Sequence, residues 1–332
     1  MDAEFSRAPD VAKRETDDGA FSAGWGGHFL PAEEYVIDCH MHVSEKEPWL
    51  VHQALDTLFA TLDAYRLDQI LVMDGGPGST SVYSKVAKAD RRFSFLIWMK
   101  PDRPDLDFLR RAHEAGAKGI KLHNFQIYGG RFDWKVWESP EWAAVFAEAE
   151  KRKMPILWHV TQEATGAPYM GEGSHGPFKG EREPGRPLTN IDLLEQFLGV
   201  VDQHQGITFV GAHMLYVGNT KLDELFAAHE NLAVDTSCGG FLRFGDQMLD
   251  EDVRAGREFF IKWPDRLLFG TDNRLSAAHC NEQTFEAFRC HLRYIRALRL
   301  PDDVLQKVMW QNARRIFNMN DGDGTMKATT RP

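Results

Sequence analysis

The sequence predicts an α/β fold, a (β/α)8 TIM barrel with an N-terminal extension and a long loop after the fifth strand. Three observations carry this. Eight short apolar runs of strand length recur along the chain. Segments of helical period separate them. No glycine-rich phosphate turn follows the first run, which disfavours a doubly wound open sheet.

The candidate strands, in order, are YVIDCH (35–40), QILVMDG (69–75), FSFLIWM (93–99), KGIKLH (118–123), PILWHV (155–160), ITFVGAH (207–213), NLAVDTS (231–237) and RLLFGTD (266–272). Their near-continuous apolar character suits strands covered on both faces. Between them, WLVHQALDTLFATLDAYRL (49–67), DLDFLRRAHEAG (105–116), EWAAVFAEAEKRK (141–153) and NIDLLEQFLGVVDQH (190–204) repeat apolar residues every three or four positions, as helices do. Residues 1–34 are polar and glycine-rich and read as an extension, 35–319 as the barrel, and 320–332 as a C-terminal tail. The connection from Thr161 to Asn190 holds six glycines and four prolines. A loop of this kind, leaving the strand that carries His159, reads as a lid or binding loop, with Tyr169, His175, Phe178, Lys179, Arg182 and Arg186 along it.

At 332 residues, with 43% hydrophobic and 27% charged residues, the chain can bury a large core. Its formal charge is -10, from 39 basic and 49 acidic residues, and its pI is about 5.7. With no basic stripe, neither nucleic acid nor an acidic membrane surface is an expected partner. No apolar run is long enough for a membrane span, and no signal-peptide pattern is visible near the start. The cysteines Cys39, Cys238, Cys280 and Cys290 form no C-x-x-C pair, which reads as a reducing, cytoplasmic setting. Cys39 sits between two histidines and points the other way, as an inert core thiol would. Neither a Walker loop nor a G-x-S-x-G elbow is present.

The chemistry lies in the histidines. His40 and His42 are two apart, so they share one side of the first strand's end. His159, His213 and Asp272 fall at or near the ends of the fifth, sixth and eighth strands, and Lys121 and His123 share a face of the fourth. In a parallel barrel these ends meet at one mouth. Imidazoles and a carboxylate gathered there make a site for a divalent metal, with zinc the first choice and manganese, iron or cobalt also compatible. Burying so many polar groups without a metal or a hydrogen-bond network would cost several kcal/mol.

The ordered set IDCHMH, GIKLH, ILWHV, FVGAH and LLFGTD, with QNARRIFNM (311–319) near the C-terminus, resembles the amidohydrolase superfamily. The similarity is greatest to its amidohydrolase-2 group, which includes aminocarboxymuconate-semialdehyde decarboxylase and related decarboxylases. The resemblance spans Tyr35 to Met319 and is not specific for a substrate. It implies His40, His42, His159 and Asp272 as metal ligands, with Asp272 also shuttling a proton. It implies His213 as the residue that polarises water or substrate, or as a ligand to a second ion. Lys121 matches either a carboxylated lysine bridging two ions or a substrate contact; one ion is favoured over two. A homo-oligomer, a dimer, is implied on the same basis. The sequence departs from the group's G-S-D-x-P pattern, with Gly270-Thr271-Asp272-Asn273-Arg274 lacking the proline.

Around these, Asp38 and Asp235 are candidates for orienting the metal-bound imidazoles. Arg131, Arg243 and Arg274 are candidates for clamping an anionic substrate, and His123 for touching it. Trp98, Tyr128 and Phe241 are candidates for an apolar wall. The remaining histidines, among them His113, His204, His229 and His291, read as ordinary helix or loop residues. The expected function is metal-dependent hydrolysis of a small, anionic ester, lactone or amide through a metal-activated water, with Asp272 and His213 catalytic. The alternative is non-oxidative decarboxylation, or another lyase reaction, of a carboxylated aromatic or unsaturated acid at the same metal site. A barrel that binds a ligand without catalysis is the third class.

Overall fold

Strand and helix alternate as the apolar periodicity requires, and the strands pair in a single order that brings the two ends of the sheet together. The computed structural model describes residues 35–43, 62, 67–162, 179–237, 250–275, 291–292 and 294–319. The parallel sheet is built from β1 (Ile37–Val43), β2 (Gln69–Gly75), β3 (Phe93–Trp98), β4 (Ile120–His123), β5 (Ile156–His159), β8 (Phe209–Gly211), β9 (Leu232–Asp235), β10 (Leu267–Leu268) and β11 (Asn273–Leu275). A small antiparallel hairpin, β6 (Glu181–Glu183) and β7 (Arg186–Pro187), stands apart from it. The sheet order is β10-β9-β8-β5-β4-β3-β2-β1-β11.

β10 lies within the run predicted as the eighth strand, 266–272, and β11 continues the same stretch of chain directly after it. β10 pairs with β9 and β11 with β1, so the two edges of the sheet are the same stretch of chain and the barrel closes. The predicted strand is broken because its middle finds other partners. Phe269 N–H donates to Val308 O in the C-terminal helical run at 2.9 Å, and Cys39 N–H donates to Phe269 O at 3.0 Å. Thr271 N–H donates to the Asp38 carboxylate at 3.1 Å, and Asp272 N–H to His40 O at 2.8 Å. Gly270 allows this approach, since a Cβ there would lie 2.9 Å from the His40 Cβ.

Helices at Leu106–Glu114, Pro140–Lys151 and Asn190–Gln203 match the expected segments closely. Thr189 and Asp192 form a capping box at the last of these. The expected helix at 49–67 lies outside the described residues except at Leu62 and Leu67. So do the extension 1–34, the tail 320–332 and most of the loop after β5. The C-terminal helical run, Asp302–Ile316, is followed by Phe317 and Met319. Those two side chains join a core cluster with Ile37, Leu96, Val210 and Leu268 of the sheet. Among the described residues no helix is long and apolar enough to cross a membrane.

The sixth predicted strand ends early. β8 stops at Gly211, and His213, Met214, Leu215 and Tyr216 take φ of 58°, 50°, 56° and 51°, a left-handed turn without glycine. Such backbone costs energy for L-residues and persists only where its surroundings hold it. Asp235 does so by accepting His213 N–H at 3.0 Å, which takes that amide away from the sheet ladder.

Beneath the mouth, Asn124 ties three elements together. Its side-chain oxygen accepts from the indoles of Trp137 at 2.9 Å and Trp158 at 3.0 Å, and its amide donates to Val160 O at 2.9 Å. Its backbone N–H donates to His159 O at 3.0 Å. All three side chains are buried. Replacing Asn124 with Ala strands two indole N–H groups and is expected to lower unfolding free energy by about 3 kcal/mol or more. A urea titration with an unchanged midpoint would remove Asn124 from this role.

Candidate metal centre

Each chemical group at the mouth is placed by a strand end. β1 presents His40 and His42, with Asp74 beside them near the end of β2. β4 carries Lys121 and His123, and β5 carries His159. His213 follows β8, Asp235 closes β9, and Asp272 lies between β10 and β11 in a left-handed conformation, φ 59°.

The structure gathers His40, His42 and Asp272, whose ligand atoms lie within 4.8 Å of one another. The Nε2 of His42 is 3.1 Å and that of His40 3.4 Å from the Asp272 Oδ1. Both imidazoles are oriented from behind. Asp235 accepts from His40 Nδ1 at 2.9 Å, and Asp74 accepts from His42 Nδ1 at 2.9 Å and from Val43 N–H at 2.8 Å. With each Nδ1 proton committed to a carboxylate, the lone pair of a neutral ring falls on Nε2, on the Asp272 side.

His159 is not part of this trio. Its ring stacks on His123 at 4.0 Å, and its Nδ1 lies 3.0 Å from His213 Nε2. The proton positions follow from one end of this chain. Ser237 O can only accept, so His213 Nδ1, 3.0 Å away, donates to it. A neutral His213 therefore accepts at Nε2 from His159 Nδ1. That leaves the His159 Nε2 lone pair, which is buried and has no hydrogen-bond partner. The task expected of His213, polarising water or substrate, would need a proton at Nε2; here that nitrogen is engaged by His159, because the left-handed turn swings the ring toward β5.

Burial and charge set the protonation states. Burial opposes ionisation of Asp272, yet His40 and His42 hold its carboxyl well below the usual carboxylate range. Asp235 is likewise lowered against its burial, mainly by His40. Burial, aided by Lys121, pulls His40 down to about 4 and keeps it neutral. His42 goes the other way, to about 9, because the bonds to Asp272 and Asp74 outweigh its burial. The slot between these two carboxylates thus favours positive charge. A cation bound at His42 Nε2 would take the place of that proton. Two imidazoles and a carboxylate fit a divalent ion.

Lys121 is buried, and its Nζ lies 3.2 Å from His40 Nε2. Burial pulls it down to about 8. A second trio, His40, His213 and Asp235, is wholly buried and consumed by internal bonds, since Asp235 also accepts the N–H of His213 and of Ser237. Among the described residues Asp38 bonds to no imidazole ring. It accepts His40 N–H at 3.0 Å and the Thr271 amide and hydroxyl, so it clamps β1 to the eighth strand, and burial raises it to about 7. The Cys39 thiol is buried in the core and raised by that burial.

Of the arginines, Arg131 is exposed, and Arg274 is exposed on β11 opposite His42 in the strand register. Arg243 and Phe241 lie outside the described residues. Arg182 and Arg186 both bind Asp192, and Arg182 also covers the Trp134 ring at 5.2 Å, so they tie the β6–β7 hairpin to the following helix. Sequence patterns passed over Asp74, Ser237, Asn124 and Thr271. Asp74 alone carried a readable signal, as a carboxylate near the end of the strand next to the two histidines. Replacing Asp74 with Ala frees the His42 ring and is expected to weaken metal binding about 10- to 100-fold, read by competition with a chromogenic chelator. An unchanged affinity would show that Asp74 does not orient the ligand.

No curated protein matches the chain. Solved structures similar to it include 5-carboxyvanillate decarboxylase from Sphingomonas paucimobilis, at 14% identity and TM-score 0.55, covering 86% of this chain and 99% of that one. A probable 2-pyrone-4,6-dicarboxylic acid hydrolase from Acinetobacter baumannii is 12% identical, TM-score 0.54, with 85% and 99% covered. An amidohydrolase from Burkholderia multivorans with bound zinc is 15% identical, TM-score 0.55, with 86% and 100% covered. At such identities the likeness is one of fold. Residues 37–319 match the Amidohydrolase family model as a sequence, and with the barrel and its histidine-lined mouth in place the chain belongs to that amidohydrolase family.

Proposed function

We propose that this chain is a metal-dependent hydrolase of a small ester, lactone or amide that carries an anionic group. One observation carries the reading: the carboxylate of Asp272 lies against both histidines of the trio and is also its most open member. Its side chain is 27% exposed, against 16% for His42 and 1% for His40. A group that is ionised, beside the donor set and open to the mouth can both receive and return a proton.

His40, His42 and Asp272 would hold the ion, with His159 as a further donor. One ion suits the single unsaturated trio, and zinc suits two or three imidazoles with one carboxylate. When bound, a divalent cation lowers the pKa of water and polarises a substrate oxygen. The remaining work falls to the chain. Asp272, with Oδ1 turned to the two imidazoles, takes the proton of the attacking water on Oδ2 and passes it to the leaving group. Asp235 and Asp74 keep the histidines in their ligand tautomers. His213 orients His159 through the contact between their rings. Arg274, at the mouth edge opposite His42, offers charge to an anionic substituent.

A second reading is decarboxylation of a carboxylated aromatic or unsaturated acid. It is favoured by the buried Lys121 amine beside His40, which would suit a substrate carboxylate, and by the similarity in fold to a decarboxylase.

Protein purified without added metal is expected to hold about one ion per chain by elemental analysis, and a chelator should abolish turnover. Asp272→Asn should lower turnover by about 100-fold or more while leaving most of the metal bound. Near-wild-type rates in that variant would refute the assigned role. Run in ¹⁸O-water, an ester, lactone and amide panel should give labelled acid product. Release of CO₂ from carboxylated acids, with no label gained from water, would select the second reading.

A further inference from the structure

β4 and β5 are in register at His123 and His159, which is why those rings stack at 4.0 Å and 14°. On the β3 side of His123 the Trp98 ring lies roughly parallel at 6.3 Å and 22°. Phe125 meets the His123 edge at 5.0 Å and 88°, and Tyr128 lies 6.3 Å away. His123 is thus wedged between rings and cannot turn freely. Trp98, Phe125 and Tyr128 are each partly exposed, as His123 is, so the group faces the mouth rather than the core.

The tautomer of His123 is settled by one bond. The backbone N–H of Phe125 donates to His123 Nδ1 at 2.8 Å. An amide N–H can only donate, so Nδ1 is the bare nitrogen and the ring proton sits on Nε2. Among the described residues nothing accepts from that Nε2–H, and His123 itself is partly exposed. His123 has no place in the metal trio. The fold therefore spends a stacked ring and a backbone bond on fixing a single neutral donor beside the metal centre.

We propose that His123 is a specificity-determining residue whose Nε2–H binds a carbonyl or carboxylate oxygen of the substrate, and that the surrounding rings select a planar, aromatic or unsaturated molecule. This rests on the proposed small-molecule chemistry at the same mouth and names the substrate class for it. A donor held in place loses little entropy on binding, and an apolar ring wall strengthens the bond by excluding water. Because both sides of His123 are already stacked, the ligand meets its edge, and its own ring packs against the partly exposed Trp98, Phe125 and Tyr128.

The test uses the metal-loaded full chain and benzoate, an inert planar carboxylate. Nitrogen-15 spectra should show His123 protonated at Nε2, with that signal shifting as benzoate is added. His123→Asn keeps an acceptor for the amide two residues on and removes the Nε2 donor; His123→Phe keeps the stacking and removes both. Both variants should bind benzoate at least about 10-fold more weakly by calorimetry, with metal content and thermal midpoint unchanged. If benzoate does not bind the wild type at millimolar concentration, if both variants bind it as the wild type does, or if the proton is on Nδ1, the proposal fails. Binding needs no turnover, so the two readings separate. Loss of benzoate binding in the variants alongside an inactive hydrolysis panel would sink the hydrolase and leave this inference standing. Active hydrolysis with wild-type KM and kcat in both variants would do the reverse.

Discussion

The site depends on how the eighth strand is pinned to the first. Between β10 and β11 the chain leaves regular pairing, and its backbone amides go to Val308, to the Asp38 carboxylate and to His40. Those bonds close the barrel and, in the same act, set Asp272 in a left-handed conformation against His40 and His42. Gly270 permits the approach because a side chain there would strike His40. Closure of the fold and assembly of the donor trio are therefore one event. The C-terminal helical run takes part, since its Val308 carbonyl receives the Phe269 amide.

Around that seam the carboxylates work in two layers. Asp235 and Asp74 sit behind the imidazoles and decide which nitrogen carries the proton. Asp272 sits in front and shares its charge with both rings. Without a cation, this arrangement drives His42 to hold a proton, which is the electrostatic signature of a place built for positive charge. His40, deeper and next to Lys121, stays neutral. The same motif thus holds two histidines in opposite protonation states, set by depth and neighbours.

On the β4–β5 side the organisation is aromatic rather than ionic. Asn124 gathers two indoles below the mouth, while His123 and His159 stack above it. His213 is drawn to this side by its left-handed turn and passes a defined proton arrangement from Ser237 to His159. Ionic and aromatic halves meet at the His40–His213 contact, 5.1 Å between ring centroids.

The alternation of apolar runs determined the strands and the helices at Leu106–Glu114, Pro140–Lys151 and Asn190–Gln203, because two-sided burial demands continuous apolar strands and one-sided burial demands a 3.6-residue period. The positions of His40, His42, His159, His213 and Asp272 near strand ends were equally readable, since a parallel barrel carries such ends to one face. The expected grouping was only partly met: strand position says which end a residue occupies, and the side-chain partner decides where its nitrogen lies. Thus His159 turned to His213, His213 left the sheet for Asp235, and Asp38 bound backbone instead of a ring. Arg182 and Arg186, expected at a binding loop, paired with Asp192. These outcomes rest on hydrogen bonds between residues as far apart as Asp38 and Thr271, and no local pattern encodes which distant carboxylate a given amide or imidazole will find. Sequence determined the barrel and the chemistry at its mouth; tertiary contacts alone decided the tautomers, the break in the eighth strand and the residues that hold them.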